Sequence, residues 1–83
     1  MVLSVRVGLV GHCRPDASYL IQVLRSVGVL EPVRINDDNT LSDFLTEGPA
    51  VLLVNRVLDG DFEDSDGVGL IARVRRKHPS VVC

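Results

Sequence analysis

The residues best suited to chemistry lie where two apolar runs of the chain end. Asn55 follows the unbroken run Ala50–Val54 and opens an acidic loop. The loop carries five carboxylates, at Asp59, Asp61, Glu63, Asp64 and Asp66. A short, aliphatic and β-branched run of this kind is typical of a strand covered on both faces. Ligands of such sheets bind just beyond the carboxyl ends of the strands, so Asn55 lies where a site is expected.

The other run ends in the sequence Gly11-His12-Cys13-Arg14, which contains the most reactive dipeptide of the chain. A thiol beside a histidine and a helix amino terminus can ionise readily and act as a nucleophile. The alternative is that Cys13 packs as a small apolar residue while His12 caps the turn. Arg14 and Arg56 form a possible anion site at the start of the same helix, with solvated surface arginines as the alternative.

Metal sites and disulfides find little support in the sequence. A structural zinc site needs four ligands, and the available donors His12, Cys13, His78 and Cys83 are predicted at opposite edges of the fold. A calcium loop counted from Asp59 would need glycine where the chain has Asp64. Two cysteines, Cys13 and Cys83, are too few for a disulfide scaffold. We expect no metal and no cofactor.

The composition limits the function classes. Eighty-three residues, 46% of them hydrophobic and 24% charged, are typical of one small globular domain. A net charge of −2 gives no basic face for nucleic acid. The sequence contains neither an export signal nor a run of membrane-spanning length, so we expect a cytoplasmic protein.

The elements that position these residues alternate between strand and helix. The patterns predict three strands, at Ser4–Val10, Val33–Asn36 (at an edge of the sheet) and Ala50–Val54, and the start of a fourth strand at Ser80–Cys83. They also predict three helices: the first ends at about Val27, the second covers Leu41–Thr46 and the third covers Val68–Lys77. Such alternation indicates parallel strands joined by right-handed crossovers. The sequence therefore predicts a three-layer α/β fold with a parallel sheet of about four strands.

The same patterns predict which side chains face the core and which cap the helices. Helix one has an apolar stripe at Tyr19, Leu20, Val23, Leu24 and Val27. Helix three is expected to turn Val68, Leu70, Ile71 and Val74 inward. Asn39 or Thr40 is the expected cap of helix two, and Gly28 the expected left-handed residue after helix one.

Two segments carry a resemblance to a known family. The sequence LLVNRVLDGDFEDSDGVGLIARVRRKHPSV, residues 52–81, resembles the third strand, phosphorylation loop and third helix of the receiver domains of response regulators. The matching positions are Asp66-Gly67, Leu70-Ile71, Arg73 and Lys77-His78-Pro79. VGLVGHCRPD, residues 7–16, is similar to the first strand and acidic turn of the family. The resemblance implies a flavodoxin-like (CheY-like) fold with strands in the order 2-1-3-4, and it covers only the amino-terminal part of that fold. In this order strand three lies between the strands that carry Cys13 and Cys83, which separates the cysteines by about 9–10 Å, too far for a disulfide bridge.

The positions that carry receiver chemistry differ in this chain. The resemblance places the phospho-accepting aspartate at Asn55 and the magnesium-binding acidic pair at Gly11 and His12. An amide is a poor phosphoryl acceptor, and a hard cation prefers oxygen ligands that glycine and histidine do not offer. The resemblance therefore implies a degenerate receiver, truncated at its carboxyl end, that does not run the receiver reaction.

These observations predict a phosphorylation-independent, receiver-like interaction or regulatory module rather than an enzyme. We expect a homodimer formed through the strand-four edge, Val81, Val82 and Cys83, or through helix three, since exposed edges promote pairing; a different protein partner is equally compatible. A further alternative is that these residues are a stable fragment of a longer receiver-like protein. The rival function is a small thiol-dependent redox enzyme or sensor that uses Cys13 with His12 and Arg14.

Overall fold

The computed structural model describes residues 5–83, and in this part of the chain strands and helices alternate. The elements are β1 Val7–Val10, α1 Arg14–Ser26, β2 Val33–Ile35, α2 Asp38–Thr46, β3 Val51–Val54 and α3 Gly67–Lys77. The predicted α/β alternation is confirmed for these six elements. Ser4, the predicted start of strand one, lies outside the described residues. Each helix in residues 5–83 is too short or too polar to cross a bilayer.

The three strands form one parallel sheet in the order β2-β1-β3. Leu9 pairs with Arg34 of β2 on one side and with Leu53 of β3 on the other. The predicted edge position of β2 is confirmed. The arrangement is compatible with a flavodoxin-like fold.

The predicted fourth strand is reduced to a single bridge. Val82 forms an isolated parallel bridge with Val51. The Leu52 amide donates to Val82 O (2.7 Å), and the Val82 amide donates to Ala50 O (3.1 Å). The preceding amide, of Val81, turns back to His78 O instead of joining the sheet. The four-stranded order 2-1-3-4 is therefore not formed, although Val82 lies on the outer side of β3.

Topology places the helices on both faces of the sheet. The step from β1 to β2 and the step from β2 to β3 run in opposite directions across the sheet, so right-handed crossovers put α1 on one face and α2 on the other. The main core lies on the α2 side, where α3 also packs. Its fully buried members are Val10, Ile35, Leu41, Leu52 and Leu70, joined by Phe44, Leu45, Ala50, Val74 and Val81.

The predicted apolar stripe of α1 is correct in part. Leu20 and Leu24 are half-buried, but Tyr19, Val23 and Val27 are exposed, at 67%, 42% and 59% of their surface. Ala17, which was not predicted to face the core, is the fully buried residue of α1. The buried side of α1 therefore follows Ala17, Leu20 and Leu24 rather than the whole predicted stripe. Gly28 adopts the predicted positive φ, 103°.

The cap of α2 differs from the one expected, and an aspartate caps both α2 and α3. The Asp37 carboxylate accepts from the Thr40 amide, so α2 begins three residues earlier than predicted, and Asn39 and Thr40 are not its cap. Asp66 caps α3 in the same way through the Gly69 amide, at 2.9 Å. An aspartate there also favours the positive end of the helix. The hydrogen bond from Thr40 holds the pKa of Asp37 below its usual range.

The predicted inward face of α3 is correct in part. Leu70 and Val74 are buried and Ile71 is half-buried, but Val68 is 67% exposed. Val68, in the first turn of α3, therefore adds little to the core.

Candidate functional site

The carboxyl ends of the strands bring Gly11, Asn36 and Asn55 to one edge of the sheet. Each residue directly follows its strand: Gly11 follows β1, Asn36 follows β2 and Asn55 follows β3. Backbone bonds hold the ends together, since the Gly11 amide donates to Ile35 O (3.0 Å) and the Asn55 amide donates to Val10 O (2.9 Å). The edge where parallel sheets bind their ligands is therefore well ordered by the sheet itself.

Asn55 is bound to the turn after β1. Its side-chain amide donates to Gly11 O at 3.4 Å and to Val57 O at 2.8 Å. An amide in this position ties the β3 end to the β1 end, and both of its bonds use the Nδ2 donor.

The His12 side chain also links the turn after β1 to β3. Its Nε2 lies 2.8 Å from Leu53 O. A carbonyl oxygen only accepts, so Nε2 carries the proton and donates. The ring nitrogen is thus engaged with the backbone of β3, and the side chain contacts no other residue through a hydrogen bond within residues 5–83.

Gly11 faces the loop after β3 at close range. Its φ is +77°, and a Cβ at this position would lie 2.6 Å from Leu58 Cδ2 and 3.1 Å from Leu58 Cα. Leu58 is partly buried and packs against the core. The Asp59 amide continues the contact by donating to Gly11 O at 2.8 Å. The space beside Gly11 is therefore filled by the chain itself.

The segment 55–66, which we call the acidic strap, runs across this edge. The Asp61 amide donates to Asn36 O (2.8 Å), and Asp61 O accepts from the Asp38 amide (3.2 Å). Asn36 adds side-chain bonds to His12 O at 3.1 Å and to Asp59 O. Gly60 has a φ of +134° and packs on the Asn36 carbonyl so closely that any Cβ would overlap it. The strap is thereby attached to the ends of both β1 and β2.

Arg73 fixes the far end of the strap. Its Nη2 donates to Asp38 Oδ1 at 2.6 Å and to Asp64 Oδ2 at 2.7 Å, and its Nε lies 3.0 Å from the latter oxygen. The Arg73 and Asp64 side chains keep only 17% and 12% of their surface exposed. Asp38 completes the cluster by accepting from the Glu63 amide at 2.7 Å. The hydrogen bonds from Asp64, and secondarily from Asp38, raise the pKa of Arg73 against the effect of burial, so it stays charged.

Sequence reasoning did not find this cluster. Arg73 was noted only as a match to the receiver pattern, and its partners lie 35 and 9 residues away. One signal was available, because Arg73 stands between the core positions Leu70 and Val74 and so near the buried face of the helix. A cation there needs a partner.

The two arginines of the predicted anion site make no contact that would fix their side chains in the described residues. Arg14 and Arg56 are exposed, and neither makes an ion pair or a side-chain hydrogen bond with residues 5–83. The arginine that does reach the edge is Arg34, which lies 3.7 Å from Asp59 Oδ2 and donates to His12 O at 3.4 Å.

The two cysteines are apart and unpaired. Cys13 is half-buried at the start of α1, where its side chain makes no capping bond, and Cys83 is exposed. Across residues 5–83, no three His, Cys, Asp or Glu side chains converge as a metal site would require. Val81 is buried, whereas Val82 beside Cys83 is 61% exposed.

Comparison with known proteins yields no relative: no family model, no curated protein and no solved structure matches this chain.

Proposed function

We propose that this chain is a receiver-like interaction or regulatory module of the cytoplasm that works without phosphorylation. The observation that supports this most directly is the state of Asn55. At the position that the receiver resemblance assigns to the phosphoryl acceptor, an uncharged amide donates to Gly11 O and Val57 O. A group bound in this way ties two strand ends together and offers no nucleophilic carboxylate.

The neighbouring positions support the same proposal through their chemistry. Gly11 has no side chain, and the His12 ring donates to Leu53 O. Magnesium prefers oxygen ligands, commonly carboxylates combined with substrate phosphate. Asp59, which the acidic strap brings to this edge, faces Arg34 instead.

The packing of the strap is a further argument. Leu58 lies against Gly11 and the Asp59 amide donates to Gly11 O. An incoming phosphoryl donor would have to displace this segment, which is held by Arg73 at its other end. Function through the outer surfaces of the domain is therefore favoured over chemistry at the strand ends.

In this proposal the module acts through protein contacts. The partner is a second copy, as in a homodimer, or another protein, at Val81–Cys83 or along α3. In this proposal Val82 forms the first pair of a fourth strand, which would lie beside β3 in the receiver order 2-1-3-4. The bridge to β3 and the exposure of Val82 support this assignment.

The test is incubation with acetyl phosphate and magnesium, followed by intact mass measurement under conditions that preserve acyl phosphates. A receiver domain with its acidic residues intact serves as the positive control in the same experiment. We expect the control to gain a phosphoryl group and this chain to stay unmodified. A stable acyl-phosphate adduct on this chain would refute the proposal.

The thiol-dependent alternative is tested separately by iodoacetamide labelling. Rapid labelling of Cys13 below pH 7 would favour a reactive thiol and an enzymatic or sensor function. We expect slow labelling, because His12 is bound to Leu53 O and makes no hydrogen bond to Cys13.

A further inference from the structure

The chain contains two Asp-Gly pairs, Asp59-Gly60 within the acidic strap and Asp66-Gly67 where α3 begins. In an Asp-Gly pair the aspartate side chain can close a succinimide ring on the amide of the next residue. Glycine favours this reaction because it has no side chain to crowd the ring. The two pairs share this chemistry but differ in their surroundings, so each serves as the comparison for the other.

The reacting groups of Asp59-Gly60 are free to move. The Gly60 amide makes no hydrogen bond with residues 5–83. The Asp59 side chain is 59% exposed, and its carboxylate faces Arg34 Nη2 at 3.7 Å, beyond hydrogen-bond distance. An exposed ion pair of this length restrains a side chain only weakly. Neither the nucleophile nor the electrophile is therefore held by a hydrogen bond.

Asn36 makes the Gly60 nitrogen a better nucleophile. Its side-chain amide donates to Asp59 O, the carbonyl oxygen of the peptide group that joins Asp59 to Gly60. A hydrogen bond to an amide oxygen withdraws electron density from the nitrogen and makes its proton more acidic. The Gly60 amide therefore gives up its proton more readily than an amide whose carbonyl has no donor.

The fold blocks the same reaction at Asp66-Gly67. Asp66 Oδ1 accepts from the Gly69 amide at 2.9 Å, and the Gly67 amide donates to Arg56 O at 2.8 Å. Gly67 is also buried in the first turn of α3. Ring closure at this pair requires both hydrogen bonds to break, which slows it by about thirtyfold if each bond has an ordinary strength.

We propose that Asp59 is a site of spontaneous isomerisation to isoaspartate, and that the change releases the acidic strap from the ends of β1 and β2. The inference goes beyond the proposed function and does not depend on it. The only co-reactant is water, which leaves in the first step and returns in the second.

The reaction runs through a succinimide. The Gly60 nitrogen attacks the side-chain carbonyl carbon of Asp59, a new C–N bond forms, and the amide proton and the carboxyl OH leave as one water. Water then opens the ring at either carbonyl. Cleavage of the new C–N bond restores aspartate, whereas cleavage of the original peptide C–N bond leaves the chain running through the side-chain carbon, as isoaspartate.

Isoaspartate does not fit the strap as it is attached. The isomer lengthens the main chain by one carbon–carbon bond, about 1.5 Å. Before the pair, the Asp59 amide donates to Gly11 O at 2.8 Å, and after it the Asp61 amide donates to Asn36 O at 2.8 Å. Between these bonds Gly60 packs on the Asn36 carbonyl so closely that a Cβ would overlap it. The two backbone bonds therefore cannot both persist in the isomerised chain.

The test is prolonged incubation of the 83-residue chain in neutral buffer. Trypsin cleavage after Arg56 and Arg73 then gives one peptide that contains both Asp-Gly pairs. Electron-transfer fragmentation distinguishes isoaspartate from aspartate at each position of this peptide. We expect isoaspartate at position 59 to accumulate about thirtyfold faster than at position 66, and the two rates to become equal in urea, where the fold protects neither pair.

A pair of variants locates the chemistry. Asp59→Glu keeps the negative charge opposite Arg34 but would need a larger and less readily formed ring, so the product at position 59 should be lost. Asp66→Glu makes the same change at the cap of α3 and should leave the rate at position 59 unchanged.

Hydrogen exchange tests the release of the strap. In the isomerised chain, separated by chromatography, the Asp61 amide should exchange about fivefold faster or more, because its bond to Asn36 O is lost. The Asn55 amide, which donates to Val10 O within the sheet, is the control and should keep its rate.

Four outcomes would overturn the inference. Isoaspartate might fail to form at position 59, it could form equally fast at both positions of the native chain, or the difference could persist in urea, which would place its cause in the local sequence rather than in the fold. Unchanged exchange of the Asp61 amide in the isomerised chain would show that the strap stays attached.

Discussion

The two faces of the sheet are built from the same strands but are covered to different degrees. On the α2 and α3 face, Leu52 retains 1% of its surface and belongs to a continuous core that includes residues of both helices. On the α1 face, the next residue along the same strand, Leu53, retains 36%. Leu9 and Ala17 are buried on this face, but the apolar stripe of α1 at Tyr19, Val23 and Val27 faces outward.

The two faces therefore contribute differently: the α2 and α3 face mainly stabilises the fold, and the α1 face offers a surface for interaction. Two helices and an ion-pair cluster hold the first face together, so it carries most of the folding free energy. The second face has one helix, and the exposed apolar residues of that helix, Tyr19, Val23 and Val27, are available to meet another molecule. Large exposed apolar groups on one side of a small domain commonly mark contact surfaces.

The largest expected effect compares neighbours on β3. Leu52→Ala removes a buried side chain from the main core and is expected to lower the free energy of unfolding by about 2–5 kcal/mol. Leu53→Ala makes the same chemical change one residue later, on the less covered face, and should cost about 1 kcal/mol or less. Urea midpoints of the two variants measure the contrast. Equal losses would mean that the faces are equally important for stability.

The second prediction concerns the ion-pair cluster. Arg73→Met keeps the aliphatic stem but leaves Asp64, which is 12% exposed, without its cation. We expect a loss of about 2–3 kcal/mol, below the range for fully buried pairs because the cluster keeps some contact with solvent. Hydrogen exchange of the Glu63 amide, which donates to Asp38, should also accelerate. Arg76→Met, at an exposed position, is the control and should stay within about 0.5 kcal/mol. Equal stability of the two variants would show that the ion-pair cluster does not hold the acidic strap in place.

The third prediction concerns the two sides of α1. Ala17 is 1% exposed, and Ala17→Leu should destabilise the domain by about 1–3 kcal/mol through overpacking against the sheet. Val23→Gln, on the exposed stripe, should change the free energy of unfolding by no more than about 0.5 kcal/mol. A large loss from Val23→Gln would show that the stripe is covered in solution, and light scattering would then identify self-association as the cause.

The smallest effect is a pH shift at Cys83. The residue as a whole is exposed, yet partial burial of its thiol raises the pKa of Cys83, while the charge of Arg75 opposes the rise. Since only the thiolate reacts, alkylation of Cys83 should reach half its maximal rate at a pH above the usual thiol range. Arg75→Ala removes the opposing charge and should move that midpoint further upward. A midpoint unaffected by Arg75→Ala would show that the charge of Arg75 does not act on this thiol.

The sequence was informative where a signal is local. The run Ala50–Val54 predicted β3, Gly28 predicted a left-handed residue after α1, and the alternation of elements predicted parallel strands. The buried part of the α1 stripe was not predictable, because Leu20 and Leu24 belong to the same helical stripe as Tyr19 and Val23, and only packing against the sheet decides which edge of the stripe is buried.

The site was harder to predict than the fold because its contacts are long-range. Asn55 could be assigned to the turn after β1 from topology, since the ends of adjacent parallel strands meet. The contacts of Arg73 with Asp38, of Asp61 with Asn36 and of Leu58 with Gly11 depend on the path of the strap, which no periodicity encodes. The cap of α2 was missed because Asp37, Asn39 and Thr40 all have side chains that can accept from a helix amide.

The contact between Leu58 and Gly11 also limits how this domain can be re-engineered or can evolve. An aspartate at position 11 would place its Cβ 2.6 Å from Leu58 Cδ2 on a backbone with φ +77°. The loop would have to be rebuilt before that substitution could be accommodated. Any design that adds a carboxylate to the end of β1 therefore has to begin with the path of the loop after β3, because Leu58 already occupies the space that the new side chain would need.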